Sequence, residues 1–299
     1  MQNRQKIGFI INPVSGTRKK SDIPDFIHST LDNYYDVDIR FTERRGHAYE
    51  LAREMVERQY SIVVAVGGDG TVNEVASALV HTPTALGIIP CGSGNGLARH
   101  LQIPLEWKKA IELFLHCKVV EIDYGTANDI KFFCTCGVGF DAHVGHVFSQ
   151  NKKRGFFSYL KSVLGEFIDY KPKKYKFKTS EYKFKKKAFL VTFANASQYG
   201  NDAYIAPHAD IQDGLIDVSI LEPFPIIKAV DIGFKLMSRK IDRCQYVQIL
   251  KTQEVLLKRK KKGVFHYDGE PCVMKKKILI KAHPRGLKVV VNIDAPFKD

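Results

Sequence analysis

Three glycines and an aspartate stand together where a buried strand is predicted to end. Residues 67–74 are Gly-Gly-Asp-Gly-Thr-Val-Asn-Glu and directly follow the apolar run Ile62–Val66. Glycines let the backbone come close to a ligand, and the free amides at the start of a helix favour an anion. A carboxylate such as Asp69 repels a phosphate unless a cation lies between them, so the pattern predicts ATP bound with Mg²⁺. The alternative for Thr71 and Glu74 is a capping box at the start of the helix.

Two further loops have the same small-residue character. Residues 12–16 are Asn-Pro-Val-Ser-Gly after the first predicted strand, and residues 90–96 are Pro-Cys-Gly-Ser-Gly-Asn-Gly after the fourth. Ligands of open α/β sheets bind outside the carboxyl ends of the strands, so three such loops can converge on one nucleotide. Each loop alone is also compatible with a simple turn. Their joint occurrence favours a nucleotide site.

Two Asp-Gly pairs follow later in the chain. In Asp268-Gly269-Glu270, an extended backbone would put both carboxylates on one side, and two neighbouring acids suit a base that accepts a hydroxyl proton. Residues 210–215, Asp-Ile-Gln-Asp-Gly-Leu, offer oxygen ligands from a tight loop, which suit a hard cation. The alternative at both places is a hairpin turn.

The elements that must position these residues fall into two domains. From residue 1 to about residue 125, short apolar runs alternate with helical segments, which is typical of a parallel α/β sheet. Residues 126–299 have short, β-rich runs that predict a sandwich-like second domain. We expect amphipathic helices at Phe156–Asp169 and Ile226–Met237, and strands or hairpins in the Lys-rich stretches 171–187 and 258–262.

Composition excludes several classes of protein. The 299 residues are 44% apolar and 26% charged, an ordinary globular balance for about two domains. The apolar runs are far shorter than the roughly 18 residues that span a membrane, and Ile7–Ile11 is too short for a secretory signal. Six cysteines without a Cys-x-x-Cys pair indicate reduced thiols. We therefore expect a cytoplasmic protein.

The net charge of +14 is unevenly placed. Residues 1–150 carry 15 Lys/Arg against 17 Asp/Glu, whereas residues 151–187 carry 13 against 3. The basic excess therefore lies in the second domain, where it would attract an anionic membrane surface, a nucleic acid or a phosphorylated substrate. Beside the apolar stripe predicted at Phe156–Asp169, it favours peripheral association with a membrane, although a solvated basic face is the alternative.

With these motifs in this order, the chain resembles the diacylglycerol kinase catalytic-domain family, which includes bacterial lipid kinases and sphingosine kinases. The resemblance covers nearly the whole chain. It implies a nucleotide domain related to phosphofructokinases and NAD kinases, a β-sandwich that takes the lipid, and an active site in the cleft between them. At one position the chain differs: diacylglycerol kinases typically have Gly-Thr-Gly-Asn-Asp, whereas residues 92–96 end in Gly96, and Gly-Ser-Gly-Asn is similar to the sphingosine kinase form.

The resemblance also implies roles for individual residues. It implies Glu270 as the favoured base, with Asp268 as its partner or a metal contact, and Asp69 as a residue that orients the nucleotide. It implies Mg²⁺ at Asp210, at Asp213 and at the carbonyl of Leu215. The implied contacts to ATP are Asn12, Pro13, Val14, Ser15, Gly16, Thr42, Gly68, Asp69, Gly70, Thr71, Val72, Asn73, Glu74 and Ser93.

The leading hypothesis is therefore an ATP-dependent lipid kinase that phosphorylates a hydroxyl of diacylglycerol, a sphingoid base or a related lipid. NAD kinase is the enzymatic alternative, because Gly-Gly-Asp-Gly-Thr also occurs in that related family. Asn73-Glu74, the loop at 12–16 and the late Asp-Gly-Glu argue against it. The non-enzymatic alternative is a basic module that binds anionic lipid or nucleic acid. Whether the chain forms a homodimer is left open.

Overall fold

The computed structural model describes residues 4–16, 20–150, 167 and 170–298. The chain divides into two compact units: unit 1 comprises Met1–Tyr124 and Pro284–Asp299, and unit 2 comprises Gly125–His283. The predicted helix Phe156–Asp169 lies outside the described residues, apart from Phe167. In the described part of the chain, every helix is too short or too polar to cross a membrane.

Unit 1 is built on a parallel sheet. Its first four strands pair in the order β2-β1-β3-β4, and helices connect them, as parallel pairing requires. Residues of β3 and β4 are buried throughout, which explains their unbroken apolar sequences. The elements are β1 Gln5–Ile11, α1 Ile23–Leu31, β2 Tyr35–Phe41, α2 His47–Glu57, β3 Ile62–Gly67, α3 Asp69–Leu79, β4 Ala85–Pro90, α4 Gly96–His100, α5 Trp107–Glu112, a 3₁₀ turn at Leu113–Leu115, and β5 Cys117–Ala127, which leads into unit 2.

The end of the chain belongs to unit 1, whereas the sequence prediction assigns all of residues 126–299 to the second domain. The last strand, β16 (Lys277–Asn292), is long enough for its final part to join the parallel sheet, where Val289 pairs with Leu86 of β4. The backbone amide of Arg285 also donates to the buried carboxylate of Asp123. Backbone pairing thus places the last residues of the chain in unit 1.

Unit 2 is a β-sandwich. One sheet is antiparallel in the order β12-β11-β10-β7-β14-β15. In this unit, β13 pairs with β16 and β8, β8 pairs with β9, and β5 pairs with β6. The two sets of strands contribute to one apolar core, for example Phe193 from β10 and Phe177 from β8. The elements are β6 Ile130–Phe132, β7 Thr135–Gly139, α6 Phe140–Gln150, β8 Lys173–Lys178, β9 Lys183–Ala188, β10 Leu190–Ala194, β11 Ile216–Leu221, α7 Ala229–Met237, β12 Val247–Thr252, β13 Glu254–Lys258, β14 Gly263–Tyr267 and β15 Glu270–Met274, with 3₁₀ turns at Ile226–Lys228 and Ile241–Arg243.

The Lys-rich stretch at 171–187 forms a hairpin, as expected. Strand β8 alternates between buried aromatic side chains and exposed lysines, and in β9 exposed lysines alternate with half-buried or buried residues. Lys174, Lys176 and Lys178 pair across the hairpin with Lys187, Lys185 and Lys183, respectively. Residues that are directly opposite in an antiparallel pair share a face, so these six lysines cover one side of the hairpin.

Candidate active site

In unit 1 the loops after β1, β3 and β4 lie side by side at one edge of the sheet. The amide of Asn12 donates to the carbonyl of Val66, and the amide of Cys91 donates to the carbonyl of Gly67. The side-chain amide of Asn12 also donates to the Thr71 hydroxyl at 3.0 Å. The three glycine-containing loops therefore meet, as the sequence predicts from their positions at strand ends.

Glycine is required at two of these close approaches. Gly16 has a φ of +70°, and a Cβ built on it would lie 2.0 Å from the carbonyl oxygen of Cys91. A Cβ on Gly92 would lie 2.7 Å from the Cα of Gly68. Side chains here would push the loops apart, so the glycines keep the backbone of all three loops within reach of one ligand.

Asp69 connects the loop after β3 to the loop after β4. Its carboxylate accepts hydrogen bonds from the amides of Asn95 at 2.9 Å and Gly96 at 2.8 Å. Asn95 closes the same loop, because its side chain exchanges hydrogen bonds with the backbone of Gly92. Asp69 therefore fixes the loop at 92–96, and its half-buried position keeps it next to solvent.

The capping-box alternative for Thr71 and Glu74 is wrong. Helix α3 begins at Asp69, its N-cap residue is Gly68, and no side chain caps it. Glu74 instead accepts hydrogen bonds from the amides of Gly46 and Ala48 at the start of α2. Glu74 thus satisfies the N-terminal amides of a neighbouring helix, which would otherwise lack acceptors.

Lys20 is a residue of this site that lies outside the motifs identified in the sequence. It is buried, and its ammonium group donates to the carbonyls of Asn12 and Ser15 and to the Ser15 hydroxyl, at 2.5 to 2.7 Å. Burial lowers the pKa of this lysine. The ammonium group therefore holds the loop at 12–16 closed. The signal in the sequence is the basic run Arg-Lys-Lys at 18–20, shortly after this loop.

The other predicted nucleotide contacts lie on the same loops or beside them. Thr42 follows β2 and is buried, and its amide donates to the carbonyl of Ile11. Val14 is 78% exposed although it is apolar, and Ser93 is exposed on the loop after β4. Pro13 is exposed, Gly70 is half-buried, and Val72 and Asn73 are buried in the first turns of α3.

In unit 2, Asp268-Gly269 forms a turn, so the extended Asp-Gly-Glu of the sequence prediction is wrong. Asp268 and Gly269 have φ values of +43° and +84° and connect β14 to β15, with Tyr267 paired to Glu270. Positive φ at both central residues is the pattern of a two-residue hairpin. The buried carboxylate of Asp268 accepts hydrogen bonds from the amides of Phe133, Cys134 and Thr135 at 2.8 to 3.0 Å. Asp268 therefore fixes this hairpin to the start of β7.

Glu270 differs from Asp268 in its surroundings. It is the first residue of β15 and is half-buried. The carboxylate of Asp268 is buried and directed to the backbone of residues 133–135. The two acids that the sequence treats as a pair therefore differ in burial.

Another carboxylate of unit 2, that of Asp141, lies outside the motifs identified in the sequence. One of its oxygens lies 3.0 Å from Nε2 of His266 and 3.2 Å from the Tyr199 hydroxyl, with Thr192 beside them. A Cβ on Gly137 would come within 2.9 Å of the same His266 nitrogen, so glycine makes room for the cluster. The signal in the sequence was Gly-Val-Gly-Phe-Asp at 137–141, which places an aspartate at the start of α6.

In the predicted magnesium loop of unit 2, a carboxylate that would bind the ion is paired with a lysine side chain. Asp210 accepts a hydrogen bond from the amide of Gln212, and Asp213 accepts one from the amide of Leu215. The other oxygen of Asp213 accepts a hydrogen bond from the Lys251 ammonium group at 2.6 Å, and this group is 3.1 Å from Asp217. This arrangement does not fit a divalent ion, because the ammonium group would repel it at the same oxygen.

Ionisation in this loop follows from burial and pairing. Burial raises the pKa of Asp217, and the positive charge of Lys251 opposes that rise. For Lys251, burial acts to lower the pKa, but the hydrogen bond to Asp213 and the charge of Asp217 outweigh it, so the pKa is raised. Lys251 is therefore a stable internal counter-ion.

Two models of known protein families match this chain. Residues 6–127 match the diacylglycerol kinase catalytic domain, and residues 134–291 match the YegS C-terminal NAD kinase beta sandwich-like domain. The chain belongs to this family of lipid kinases. The matched ranges correspond to the α/β architecture of unit 1 and the β-sandwich of unit 2.

Individual relatives agree with this family. A probable lipid kinase YegS-like protein of Chromohalobacter salexigens is 29% identical over 240 residues, 78% of this chain and 77% of its own length. A crystal structure of a putative diacylglycerol kinase from Bacillus anthracis has a TM-score of 0.79 at 21% identity, over 98% of this chain and 99% of its own. At that identity, the structure supports the fold alone.

The fold is also similar to that of a kinase that acts on a nicotinamide nucleotide. The crystal structure of yeast NADH kinase in complex with NADH covers 98% of this chain and 85% of its own, with a TM-score of 0.54 and 13% identity. This likeness confirms the expected kinship of the two folds. It does not favour NAD kinase activity over lipid kinase activity.

Proposed function

We propose that this enzyme transfers the γ-phosphoryl group of Mg²⁺-bound ATP to a hydroxyl of diacylglycerol, a sphingoid base or a related lipid. The observation that carries the proposal is the convergence of three glycine-containing loops at the carboxyl ends of β1, β3 and β4. Such an edge, with backbone amides next to a helix start, binds phosphate groups in α/β proteins.

Unit 1 supplies the nucleotide site in this proposal. Phosphoryl transfer requires mainly that the protein position the phosphates and neutralise their charge. The Lys20 ammonium group stabilises the loop at 12–16, and the Asp69 carboxylate stabilises the loop at 92–96. Both loops are thus fixed before the nucleotide arrives, which avoids an entropic cost on binding.

Unit 2 supplies the base and the lipid site. Glu270 is the better candidate for the base, because the carboxylate of Asp268 is buried and accepts three backbone hydrogen bonds. A general base must be able to approach the substrate hydroxyl and take up its proton. Glu270, which is half-buried at the start of β15, meets that requirement better.

The positive charge of unit 2 supports a location of the enzyme at the cytoplasmic surface of a membrane that contains anionic lipids. The six lysines that cover the β8–β9 hairpin lie directly opposite one another in pairs, and like charges so placed are unfavourable without an anionic partner. Basic residues near an anionic bilayer contribute about 1 kcal/mol each to binding.

A panel of lipid alcohols tests the activity. The purified protein is incubated with γ-labelled ATP, Mg²⁺ and detergent-dispersed diacylglycerol, monoacylglycerol, sphingoid base or ceramide, and label is measured in the organic phase. We expect a labelled lipid with at least one acceptor. If no lipid is labelled while NAD is converted to NADP, the enzyme is an NAD kinase.

A further inference from the structure

One helix of unit 2 exposes an apolar face. In the segment from Ile226 to Met237, Val230 is 83% exposed, Ile227 is 82% exposed and Phe234 is 68% exposed, and Ile226 and Met237 are also exposed. These five side chains follow one another at helical intervals of three and four residues, apart from the adjacent pair at the start, so they form one stripe. An apolar stripe of this size on a protein surface marks a site of interaction.

The opposite face of the same helix is anchored in unit 2. Ile232 is buried in an apolar cluster with Phe189, Leu221 and Ile241. Phe167, the one described residue of the predicted amphipathic segment 156–169, packs against this cluster as well. The exposed stripe is therefore held rigidly outward, because the core side of α7 is already filled.

The charges around the stripe are predominantly positive. Lys228, Lys240 and Arg243 are exposed at its two ends. The nearby acids have basic partners: Asp231 pairs with Lys235 at 2.8 Å, and Asp242 lies 3.5 Å from His208. An apolar face with a basic border is the pattern of a helix that lies in the interface of an anionic membrane.

We propose that the segment Ile226–Met237 docks the enzyme on an anionic lipid bilayer, with its apolar stripe among the acyl chains and its basic border at the headgroups. This inference rests on the proposed function, because a lipid kinase must reach a substrate that resides in a bilayer. A second copy of the chain is the poorer occupant, because a symmetric contact would bring the same basic borders together.

Vesicle sedimentation tests this surface. The variant Ile227→Gln/Val230→Gln/Phe234→Gln is compared with the wild type and with the control Tyr34→Gln/Val273→Gln, which changes exposed apolar residues outside the stripe and outside the β8–β9 hairpin. Vesicles contain phosphatidylglycerol with phosphatidylcholine, or phosphatidylcholine alone. We expect the triple variant to lose binding to phosphatidylglycerol vesicles by at least about tenfold, the control to bind as the wild type does, and binding to phosphatidylcholine to be weak throughout.

A second measurement uses tryptophan fluorescence and needs two conservative changes. The chain has one tryptophan, Trp107. In a Trp107→Phe background, Phe234→Trp should shift its emission to the blue and be quenched by brominated acyl chains when vesicles are added. An unchanged spectrum would overturn the proposal, as would wild-type sedimentation of the triple variant.

Two further outcomes are informative. If the wild type is a dimer and the triple variant a monomer with unchanged vesicle binding, the stripe is a protein contact and the proposal is wrong. Phosphorylation of the lipid panel in detergent is measured separately from vesicle binding. A wild type that binds vesicles through this stripe but phosphorylates no lipid would uphold the docking surface and refute the proposed function.

Discussion

Asp69 in unit 1 and Asp268 in unit 2 look alike in the sequence, since each precedes a glycine and each was expected to take part in chemistry. In the structure, both carboxylates accept backbone hydrogen bonds and hold another segment in place. They differ in exposure. Asp69 is half-buried beside the converging loops, whereas Asp268 is buried under its own turn.

This difference indicates which acid can act on a substrate. A buried carboxylate with three amide donors has little capacity left for a ligand, so Asp268 contributes chiefly to stability. Asp69 shapes a loop that we assign to the nucleotide, so its loss should affect turnover. Glu270, two residues after Asp268 in the sequence, is left as the candidate base. Three substitutions test this division, from the largest expected effect to the smallest, and a fourth tests the ion pair of Lys251.

Glu270→Gln should reduce kcat by about 100- to 10,000-fold, the usual contribution of a general base. The free energy of unfolding should change by less than about 0.5 kcal/mol, because the side chain is half-buried and the amide has the same shape. Steady-state kinetics and urea unfolding measure the two effects. Near-normal turnover would exclude Glu270 as the base.

Asp268→Asn should show the reverse pattern. The amide cannot accept hydrogen bonds from all three backbone donors, so we expect a loss of about 2–3 kcal/mol in the free energy of unfolding. Asparagine tolerates the positive φ of this position, so the turn itself is kept. At a temperature where the variant is folded, kcat should stay within about threefold of the wild type. A stable but inactive variant would show that Asp268 acts in the reaction.

Asp69→Asn should reduce kcat/KM for ATP by about 100-fold, because the amides of Asn95 and Gly96 lose an ionised acceptor and the loop at 92–96 shifts. Vesicle binding should not change, because unit 2 is untouched. Undiminished turnover would contradict the role that we assign to this loop.

Lys251→Met should destabilise the protein by about 1–2 kcal/mol at pH 7, because Asp213 and Asp217 lose their shared counter-ion. The pKa of Asp217 is raised in the folded protein. The ionisation of Asp217 therefore lowers the free energy of unfolding as the pH rises from its pKa in the unfolded chain to its raised pKa in the folded protein. The effect of the substitution should be smaller at pH 4, because Asp217, whose pKa is raised by burial, is protonated to a greater extent there than at pH 7. Lys235→Met, which breaks the exposed pair with Asp231, is the matched control and should cost less than about 0.5 kcal/mol at either pH. An equal loss at both pH values would argue against the ionic contact.

Thermal unfolding of the wild type addresses the predicted magnesium loop. In the wild type, addition of Mg²⁺ or of a chelator should leave the thermal midpoint unchanged if Lys251 supplies the only cation there. A rise in the midpoint with Mg²⁺ would instead favour the metal site that the family resemblance implies at Asp210, Asp213 and Leu215.

Local patterns in the sequence were sufficient to predict the architecture. Continuous apolar runs such as Ile62–Val66 identified the strands of the parallel sheet, and glycines at their ends identified the loops that converge. The signal is strong because both features are confined to short stretches of chain. What failed was the assignment of residues 284–299, which depends on pairing between strands far apart in sequence.

The side-chain partners could not be predicted for the same reason. Glu74 and the start of α2 are separated by about one helix and one strand, and Asp268 contacts residues 133–135 from the other end of unit 2. Spacing suggests a local role for each acid, such as a capping box or an extended pair. The fold supplies distant backbone donors instead, and these contacts depend on the tertiary structure.

Hydrogen exchange with and without Mg²⁺-bound ATP tests the central claim, that the three loops of unit 1 form the nucleotide site. Amide protection is measured by mass spectrometry on peptides from both units. The account predicts that ATP slows exchange at residues 12–16, 67–74 and 91–96 together, and leaves the β8–β9 hairpin unchanged. Protection confined to unit 2, or absent from these three loops at saturating nucleotide, would contradict it.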